Sequence, residues 1–138
     1  MKKEVLIDSG PLIALFNSGD KYHNKVLKFL KKFSGKLITT WPVITEVIYM
    51  LSFSVDVQND FLEWIERGSL DIMDLKIADI RYIRTRMKKY SDIPMDLADA
   101  SLMCISETKS ILNIISIDSD FEIYRTLDGK YLKNVLNG

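Results

Sequence analysis

The sequence predicts one α/β domain, a three-layer α/β/α sandwich with a central, mainly parallel sheet. Short apolar runs bounded by turn residues alternate with longer amphipathic segments, and this alternation is typical of strand–helix–strand units. The chain has 138 residues, which is a usual length for a single domain. No repeat, low-complexity tract or Pro/Gly/Ser-rich linker divides it, so we expect residues 1–138 to form one domain.

The first half of the chain contains two predicted strands and four predicted helices. A three-residue apolar run that ends at Asp8 is typical of a short buried strand. Prolines in the first turn and glycines after the last turn mark the helix ends. In order, we predict a strand at 5–7, a short helix at 12–16, a helix at 20–33, a strand at 37–40, a helix from Pro42 to about Phe53 and a helix at 58–67.

The second half continues the alternation. Residues 70–75 alternate in hydrophobicity, as a half-buried strand does. The remaining predicted elements are a helix at 77–90, a helix from Pro94 to about Thr108, a strand at 113–117, a short helix at 121–126 and a last strand at 131–135.

Composition excludes several classes of protein. Nineteen Lys and Arg residues balance nineteen Asp and Glu residues, and this argues against a nucleic-acid binder that works by bulk charge. The single cysteine, Cys104, excludes an intramolecular disulfide and a cysteine-based zinc site. No apolar run approaches the ~18 residues of a membrane span, and the N-terminal apolar run is too short for a signal peptide. We therefore expect a cytoplasmic protein that does not enter a membrane.

Two aspartates follow predicted strands. Asp8 comes directly after the first strand and Asp118 directly after the strand at 113–117. Ligands of open α/β sheets bind at the carboxyl ends of the strands. Each aspartate alone is more simply interpreted as a turn or capping residue, because aspartate is common at both places.

Three acids on predicted helices are harder to explain by local structure. Glu46 is the only charged residue in the apolar segment 43–51, which predicts a buried helix; the alternative is an exposed stripe beside Thr45. Asp96 and Asp99 are three residues apart and share one face of the helix predicted from Pro94. The helix dipole alone could account for Asp96, whereas Asp99 lies deeper in an apolar helix.

A divalent cation would remove the repulsion between these carboxylates if they came together. Mg²⁺ prefers oxygen ligands and is often held by carboxylates together with substrate phosphate. Such a site can activate water and stabilise the oxygens of a phosphodiester. Spacing in the sequence does not show that the acids converge, so the metal site is a hypothesis at this point.

Four segments carry the acids in order: a strand ending in aspartate (6–15), a threonine-rich strand leading into a helix with one glutamate (39–47), an acidic helix start (95–102) and a second strand ending in aspartate (116–121). Together they resemble the PIN-domain family of metal-dependent ribonucleases, which includes the toxins of VapBC toxin–antitoxin systems. Each segment alone is weakly specific, but the four in this order make a stronger match. The resemblance covers nearly the whole chain.

The resemblance implies a PIN-like fold and hydrolysis of RNA phosphodiester bonds. Asp8, Glu46, Asp99 and Asp118 match the family's acidic quartet, and Asp96 matches a further acid of many members. By this resemblance Asp8, Glu46 and Asp99 hold one Mg²⁺ or Mn²⁺, while Asp118, with Asp96, serves a second ion or positions the attacking water. The implied products carry a 5′-phosphate and a 3′-hydroxyl. The implied partners are RNA, an antitoxin protein and a second copy of the chain in a homodimer.

Two basic stretches contain no acid. Six lysines lie between residues 21 and 36, and five basic residues lie between residues 81 and 89. Solvated outer faces are the usual fate of such charges, and contact with RNA phosphates is the functional alternative. Arg125 is a further candidate for phosphate contact.

Two other classes of protein stay as alternatives. A phosphotransfer signalling domain has a similar size and sheet, but it needs a pair of adjacent acids after the first strand, and Asp8 stands alone. A non-catalytic interaction module would use the acids to bind a basic segment of a partner. That alternative gives no reason for burying Glu46 and Asp99.

Overall fold

A sheet of five parallel strands forms the centre of the protein in a computed structural model that describes residues 3–137. Numbered along the chain, the strands are β1 (Glu4–Ile7), β2 (Lys36–Thr40), β3 (Asp71–Met73), β4 (Asn113–Ile115) and β5 (Lys133–Asn134). Their order across the sheet is β3-β2-β1-β4-β5, and every neighbouring pair is parallel.

Six helices accompany the strands. They are α1 (Ser9–Phe16), α2 (His23–Lys32), α3 (Trp41–Met50), α4 (Val55–Glu66), α5 (Ile80–Lys89) and α6 (Leu97–Lys109). Two single 3₁₀ turns lie at Ile77–Asp79 and Ser119–Glu122. This architecture confirms the prediction of a three-layer α/β/α sandwich with a parallel sheet. That residues 1–138 form one domain stays a prediction.

The strand order creates a crevice beside β1. The chain moves outward from β1 through β2 to β3, and then returns to pair β4 with the other edge of β1. Ligands of open α/β sheets bind at such a reversal, outside the carboxyl ends of the strands. Asp8 follows β1, and Asp118 follows β4 by three residues, so both acids lie at this end of the sheet.

Both β1 and α6 are buried in the core, which accounts for their largely apolar sequences. Val5, Leu6 and Ile7 are fully buried, as expected of a central parallel strand covered on both faces. All residues of α6 from 98 to 106 are buried, although this stretch includes Asp99 and two serines. A carboxylate that would ordinarily face solvent is therefore carried into the core by a helix that packs on all sides.

Several predicted boundaries are wrong. Pro94 does not begin a helix: it lies in the turn at 91–94, and α6 begins at Leu97 after Asp96, whose carboxylate caps the helix. The helix predicted at 121–126 is only the 3₁₀ turn Ser119–Glu122, which Asp118 caps. In both cases an aspartate that accepts a backbone N–H sets the start, which is the stronger local signal.

The prediction that α3 is buried on nearly every face is also wrong. Val43, Ile44 and Val47 face the core, whereas Trp41 is 56% and Tyr49 is 74% exposed. The apolar sequence predicts a buried helix, but α3 has an apolar face in solvent. Within residues 3–137 no helix is long and apolar enough to cross a membrane.

Candidate active site

Asp8 is held at the junction of β1 and α1. Its backbone N–H donates to the Ile115 carbonyl of β4 at 3.1 Å, which extends the β1–β4 pairing by one residue. Its carboxylate caps α1 by accepting from the Ser9 N–H at 2.8 Å. The other oxygen lies 3.3 Å from the Ser116 hydroxyl. Asp8 is thus fixed by the sheet itself and cannot turn freely toward solvent.

Burial changes the acidity of Asp8. The residue is only 4% exposed, and desolvation raises its pKa from 3.8 to about 7. The negative charges of Glu46 and Asp118 act in the same direction, while the hydrogen bonds from Ser9 and Ser116 oppose them. In the described part of the chain no Lys or Arg forms an ion pair with this carboxylate, so no cation offsets the effect of burial.

Asp99 is the second buried acid. It lies in the first turn of α6, where its backbone N–H donates to the Asp96 carboxylate at 2.8 Å. Its own carboxylate accepts from the hydroxyl of Tyr124, a fully buried side chain, at 2.8 Å. Burial first, and then the charge of Asp8, raises the pKa of Asp99 from 3.8 to about 8. Smaller contributions come from Asp96 and Asp118.

Glu46 reaches the same region from α3. The side chain is half-buried, and its carboxylate accepts from the Ser9 hydroxyl at 2.5 Å. Thr45 beside it is exposed, so the expectation of a fully buried glutamate is wrong and the alternative of a partly exposed stripe is closer. Because Ser9 follows Asp8 directly, its hydroxyl ties the acid on α3 to the acid at the end of β1.

Asp96 and Asp118 are the exposed members of the predicted set. Each caps an element: Asp96 caps α6, and Asp118 accepts the Asp120 N–H at 2.9 Å. The Ser116 hydroxyl accepts from the Asp118 N–H at 3.2 Å and lies 3.3 Å from the Asp118 carbonyl. Ser116 therefore connects the turn that carries Asp118 to buried Asp8.

The five acids have no basic partner in the described part of the chain. The ion pairs found there join Lys36 to Asp71, Arg67 to Glu63 and Lys130 to Asp128, and none involves a predicted site residue. Burial is the main cause of the raised pKa values of Asp8 and Asp99, and the negative charges of neighbouring acids raise them further. Such a set favours binding of a positive charge from outside the chain.

The donor set fits a hard divalent ion in chemistry. All five side chains offer carboxylate oxygens, which Mg²⁺ and Mn²⁺ prefer. Among residues 3–137, however, no group of three or more Asp, Glu, His or Cys side chains is placed so that it could hold a metal ion. The assignment of Asp8, Glu46, Asp96, Asp99 and Asp118 to metal binding and catalysis therefore stays a prediction.

Three hydroxyl-bearing residues orient the acids, and their sequence signals are weak. Ser9 is the first residue of α1, which Asp8 caps, and its hydroxyl binds Glu46. Tyr124, the partner of Asp99, has no signal in the sequence, because only the turn after Asp118 brings it to α6. Ser116 has a partial signal, since it begins the last of the four acid-bearing segments, 116–121.

Three other residues have side chains with possible chemical roles: His23, Cys104 and Asp120. A ring nitrogen of His23 lies 2.7 Å from the Ala14 carbonyl, so this residue joins α2 to α1. Cys104 is buried, and burial raises its thiol pKa to about 12, which argues against a nucleophile. Asp120 lies beside Asp118; partial burial first, and then the charge of Asp118, raises its pKa.

The fold and the acidic crevice define a known class. Residues 5–127 match the PIN domain family, and the chain therefore belongs to that family. Ribonuclease VapC26 of Mycobacterium tuberculosis (strain ATCC 25618 / H37Rv) is 22% identical over 128 residues, which cover 91% of this chain and 95% of the relative.

Solved structures agree on the fold. VapC20 of Mycobacterium tuberculosis, described as a sarcin-ricin loop cleaving toxin, superposes with a TM-score of 0.78 at 15% identity, covering 86% of this chain and 93% of that one. VapBC2 from Rickettsia felis, bound to a DNA fragment from their promoter, gives a TM-score of 0.62 at 14% identity, covering 95% and 98%. FitAcB from Neisseria gonorrhoeae gives 0.55 at 15% identity, covering 83% and 88%.

Proposed function

We propose that the protein is a metal-dependent endoribonuclease that hydrolyses RNA phosphodiester bonds, and that it is the toxin of a toxin–antitoxin pair. One observation carries the proposal: within the described chain, Asp8 and Asp99 are buried without a basic partner at the crevice of a PIN fold. A purely structural carboxylate in such a place would be costly. The ribonuclease and toxin relatives support the choice of activity.

Each acid has a distinct place in this proposal. Asp8, Glu46 and Asp99 would hold one Mg²⁺ or Mn²⁺, and Asp118 with Asp96 would serve a second ion or position the attacking water. Bound divalent metal lowers the pKa of water and stabilises charge on the phosphate oxygens. The proposal assigns no covalent nucleophile to the chain, because Cys104 is buried in α6. We expect products with a 5′-phosphate and a 3′-hydroxyl.

The hydroxyl partners prepare the acids for this task. Ser9, Ser116 and Tyr124 each hold a carboxylate through a donor that brings no charge. Asp8 and Asp99 must lose their protons before they can act as ligands, since metal binding requires the ionised carboxylate. With pKa values of about 7 and 8, both acids can do so near neutral pH.

A cleavage assay tests the proposal. Purified protein should cut single-stranded RNA in Mg²⁺ or Mn²⁺, and both EDTA and the Asp8→Asn substitution should abolish cutting. Equal cleavage by wild type and Asp8→Asn would indicate a contaminating nuclease. A folded wild type that cuts none of a varied set of RNAs would refute the activity and favour the interaction module.

The partners are part of the proposal. We propose an antitoxin protein that binds and inhibits the enzyme, supported by the likeness to VapBC2. Coexpression with the product of a small neighbouring gene should yield a stable complex that lacks nuclease activity. We also propose a homodimer, which light scattering after size exclusion would show as twice the 15.9 kDa chain mass. Action in the cytoplasm, where RNA is available, completes the proposal.

A further inference from the structure

A pocket of about 340 Å³ opens next to Asp118, at the edge of the sheet formed by β5. Its walls come from the 3₁₀ turn Ser119–Glu122, from the residues just after that turn and from the β5 region. The volume is at the lower end of the range for small-ligand sites. Asp118 lines this pocket, and its charge also acts on Asp8 and Asp99, so the pocket lies beside the predicted acidic site.

One wall places a guanidinium group beside an exposed aromatic ring. Tyr131 is 64% exposed, and the guanidinium of Arg125 lies 5.1 Å from the centre of its ring. Arg125 does not move freely, because its guanidinium donates to the carbonyls of Glu122 at 2.7 Å and Tyr124 at 3.0 Å. An exposed aromatic ring beside a fixed arginine is a surface on which a nucleobase can stack.

The lining of the pocket carries charges of both signs. Arg125 and Lys133 line it, and Lys25 of α2 donates to the side-chain oxygen of Asn137 at its edge, at 2.9 Å. None of these three cations forms an ion pair in the described chain. The carboxylates in the pocket, Asp118 and Glu122, lie at the 3₁₀ turn, whereas Lys133 and Asn137 lie on the β5 side. A ligand with a flat ring and an anionic group matches the exposed ring of Tyr131 and the cations Arg125 and Lys133.

We infer that the pocket binds one nucleotide of a single-stranded RNA, adjacent to the phosphodiester that is cut. The base stacks on Tyr131 and Arg125, and its phosphate faces Lys133 and Lys25. Asp118 marks the direction of the scissile phosphate. A base inside a duplex is not free to enter, so the substrate is unpaired at this nucleotide. The inference rests on the proposed nuclease function for the identity of its ligand.

RNA binding can be measured without cleavage. A 5′-labelled single-stranded RNA octamer is titrated into the Asp8→Asn protein in EDTA, and its anisotropy is followed. Adding Tyr131→Ala should weaken binding roughly 5- to 150-fold, the loss expected for one stacked base. Tyr131→Phe, which keeps the ring, should bind within about twofold of the parent. Phe53→Ala removes a similarly exposed ring outside the pocket and should leave RNA binding unchanged.

Salt dependence tests the phosphate contact separately. The logarithm of the binding constant falls with the logarithm of the salt concentration by about 0.7 per neutralised phosphate on a single strand. Lys133→Ala should therefore reduce this slope by about 0.7. An unchanged slope would overturn the assignment of Lys133. The same octamer annealed to its complement should bind with no dependence on Tyr131.

Kinetics separate this inference from the nuclease proposal. In the cleaving protein, Tyr131→Ala should raise KM and leave kcat within about twofold, because stacking holds substrate and transition state alike. If wild type cuts RNA but Tyr131→Ala binds and cuts equally well, the pocket is not a nucleotide site and the nuclease proposal stands. If wild type cuts no RNA but binds it through Tyr131, the nucleotide site stands and the nuclease proposal fails.

An acidic protein segment is the rival occupant. A glutamate-rich peptide of the same charge should bind at least about tenfold more weakly than the RNA and should not respond to Tyr131→Ala, because it has no base to stack on the ring. Tight peptide binding that depends on Tyr131 would overturn the inference and make the pocket a protein-docking site.

Discussion

The Asp8→Asn substitution measures how much the buried negative charge of Asp8 destabilises the folded protein. Asparagine has the same shape, keeps an oxygen to accept from the Ser9 N–H and can donate to the Ser116 hydroxyl. It removes the charge that faces Glu46 from α3, Asp118 after β4 and Asp99 from α6. The substitution therefore changes electrostatics with little change in packing.

The sign and the size follow from the pKa of Asp8. The folded protein holds this proton up to about pH 7, whereas the unfolded chain releases it near pH 3.8. Between these values the folded state binds more protons, so the free energy of unfolding falls as pH rises. At about 1.4 kcal/mol per pH unit, Asp8 alone should lower the free energy of unfolding by roughly 2 to 3 kcal/mol between pH 5 and pH 8. The raised pKa of Asp99 acts in the same direction.

Urea denaturation in EDTA measures the effect. When pH is raised from 5 to 8, the free energy of unfolding of Asp8→Asn should increase by roughly 2 to 3 kcal/mol relative to that of wild type. Asp60→Asn, at an exposed position on α4, should stay within about 0.5 kcal/mol of wild type at both pH values. If Asp8→Asn is equally destabilised at both pH values, the carboxylate is well compensated and the metal-site argument loses its basis.

Tyr124→Phe removes the hydroxyl that donates to buried Asp99 and should lower the free energy of unfolding at pH 8 by about 1 to 3 kcal/mol in urea denaturation; an unchanged value would show that Asp99 does not need this donor. Ser9→Ala releases Glu46 and should lower the cleavage rate roughly 10- to 100-fold, whereas Ser52→Ala in the turn after α3 should not. Equal rates for both serine variants would contradict the positioning role. Mn²⁺ should raise the melting temperature of wild type more at pH 8 than at pH 5.5, and Asp99→Asn should lose most of that gain; an equal rise at both pH values would argue against ligands with raised pKa values.

The sheet is predictable because its strands obey simple rules. The apolar runs at 5–7 and 113–117 are too short for helices, and strands β1 and β4 are buried at the centre of the sheet as such runs require. Because acids follow both of these strands, the sequence alone is enough to place Asp8 and Asp118 at one end of the sheet. Local patterns of this kind depend only on neighbours in the sequence.

Prediction fails where tertiary contacts decide. The exposed face of α3 carries Trp41 and Tyr49, so hydrophobicity alone gives the wrong burial for this helix. Pro94 offers a competing signal that hides the helix start at Asp96. The partner of Asp99 is 25 residues away in Tyr124, and a contact across such a distance has no signature in periodicity. Local rules therefore predict the acids, whereas the residues that orient them need the fold.

Among the described residues, the buried carboxylates of Asp8 and Asp99 have hydroxyl groups, and not cations, as side-chain hydrogen-bond partners. A lysine or arginine beside Asp8 or Asp99 would neutralise the charge, lower the carboxylate pKa and occupy the place of an added cation. Ser116 and Tyr124 instead fix the two carboxylates and leave their charge uncompensated. The folded chain is therefore less stable at high pH than it would be with ion pairs, and the divalent cation that we propose would restore that stability on binding. The Asp8→Asn protein should therefore be more stable than wild type in EDTA at pH 8. Addition of Mn²⁺ should raise its free energy of unfolding by less than it raises that of wild type.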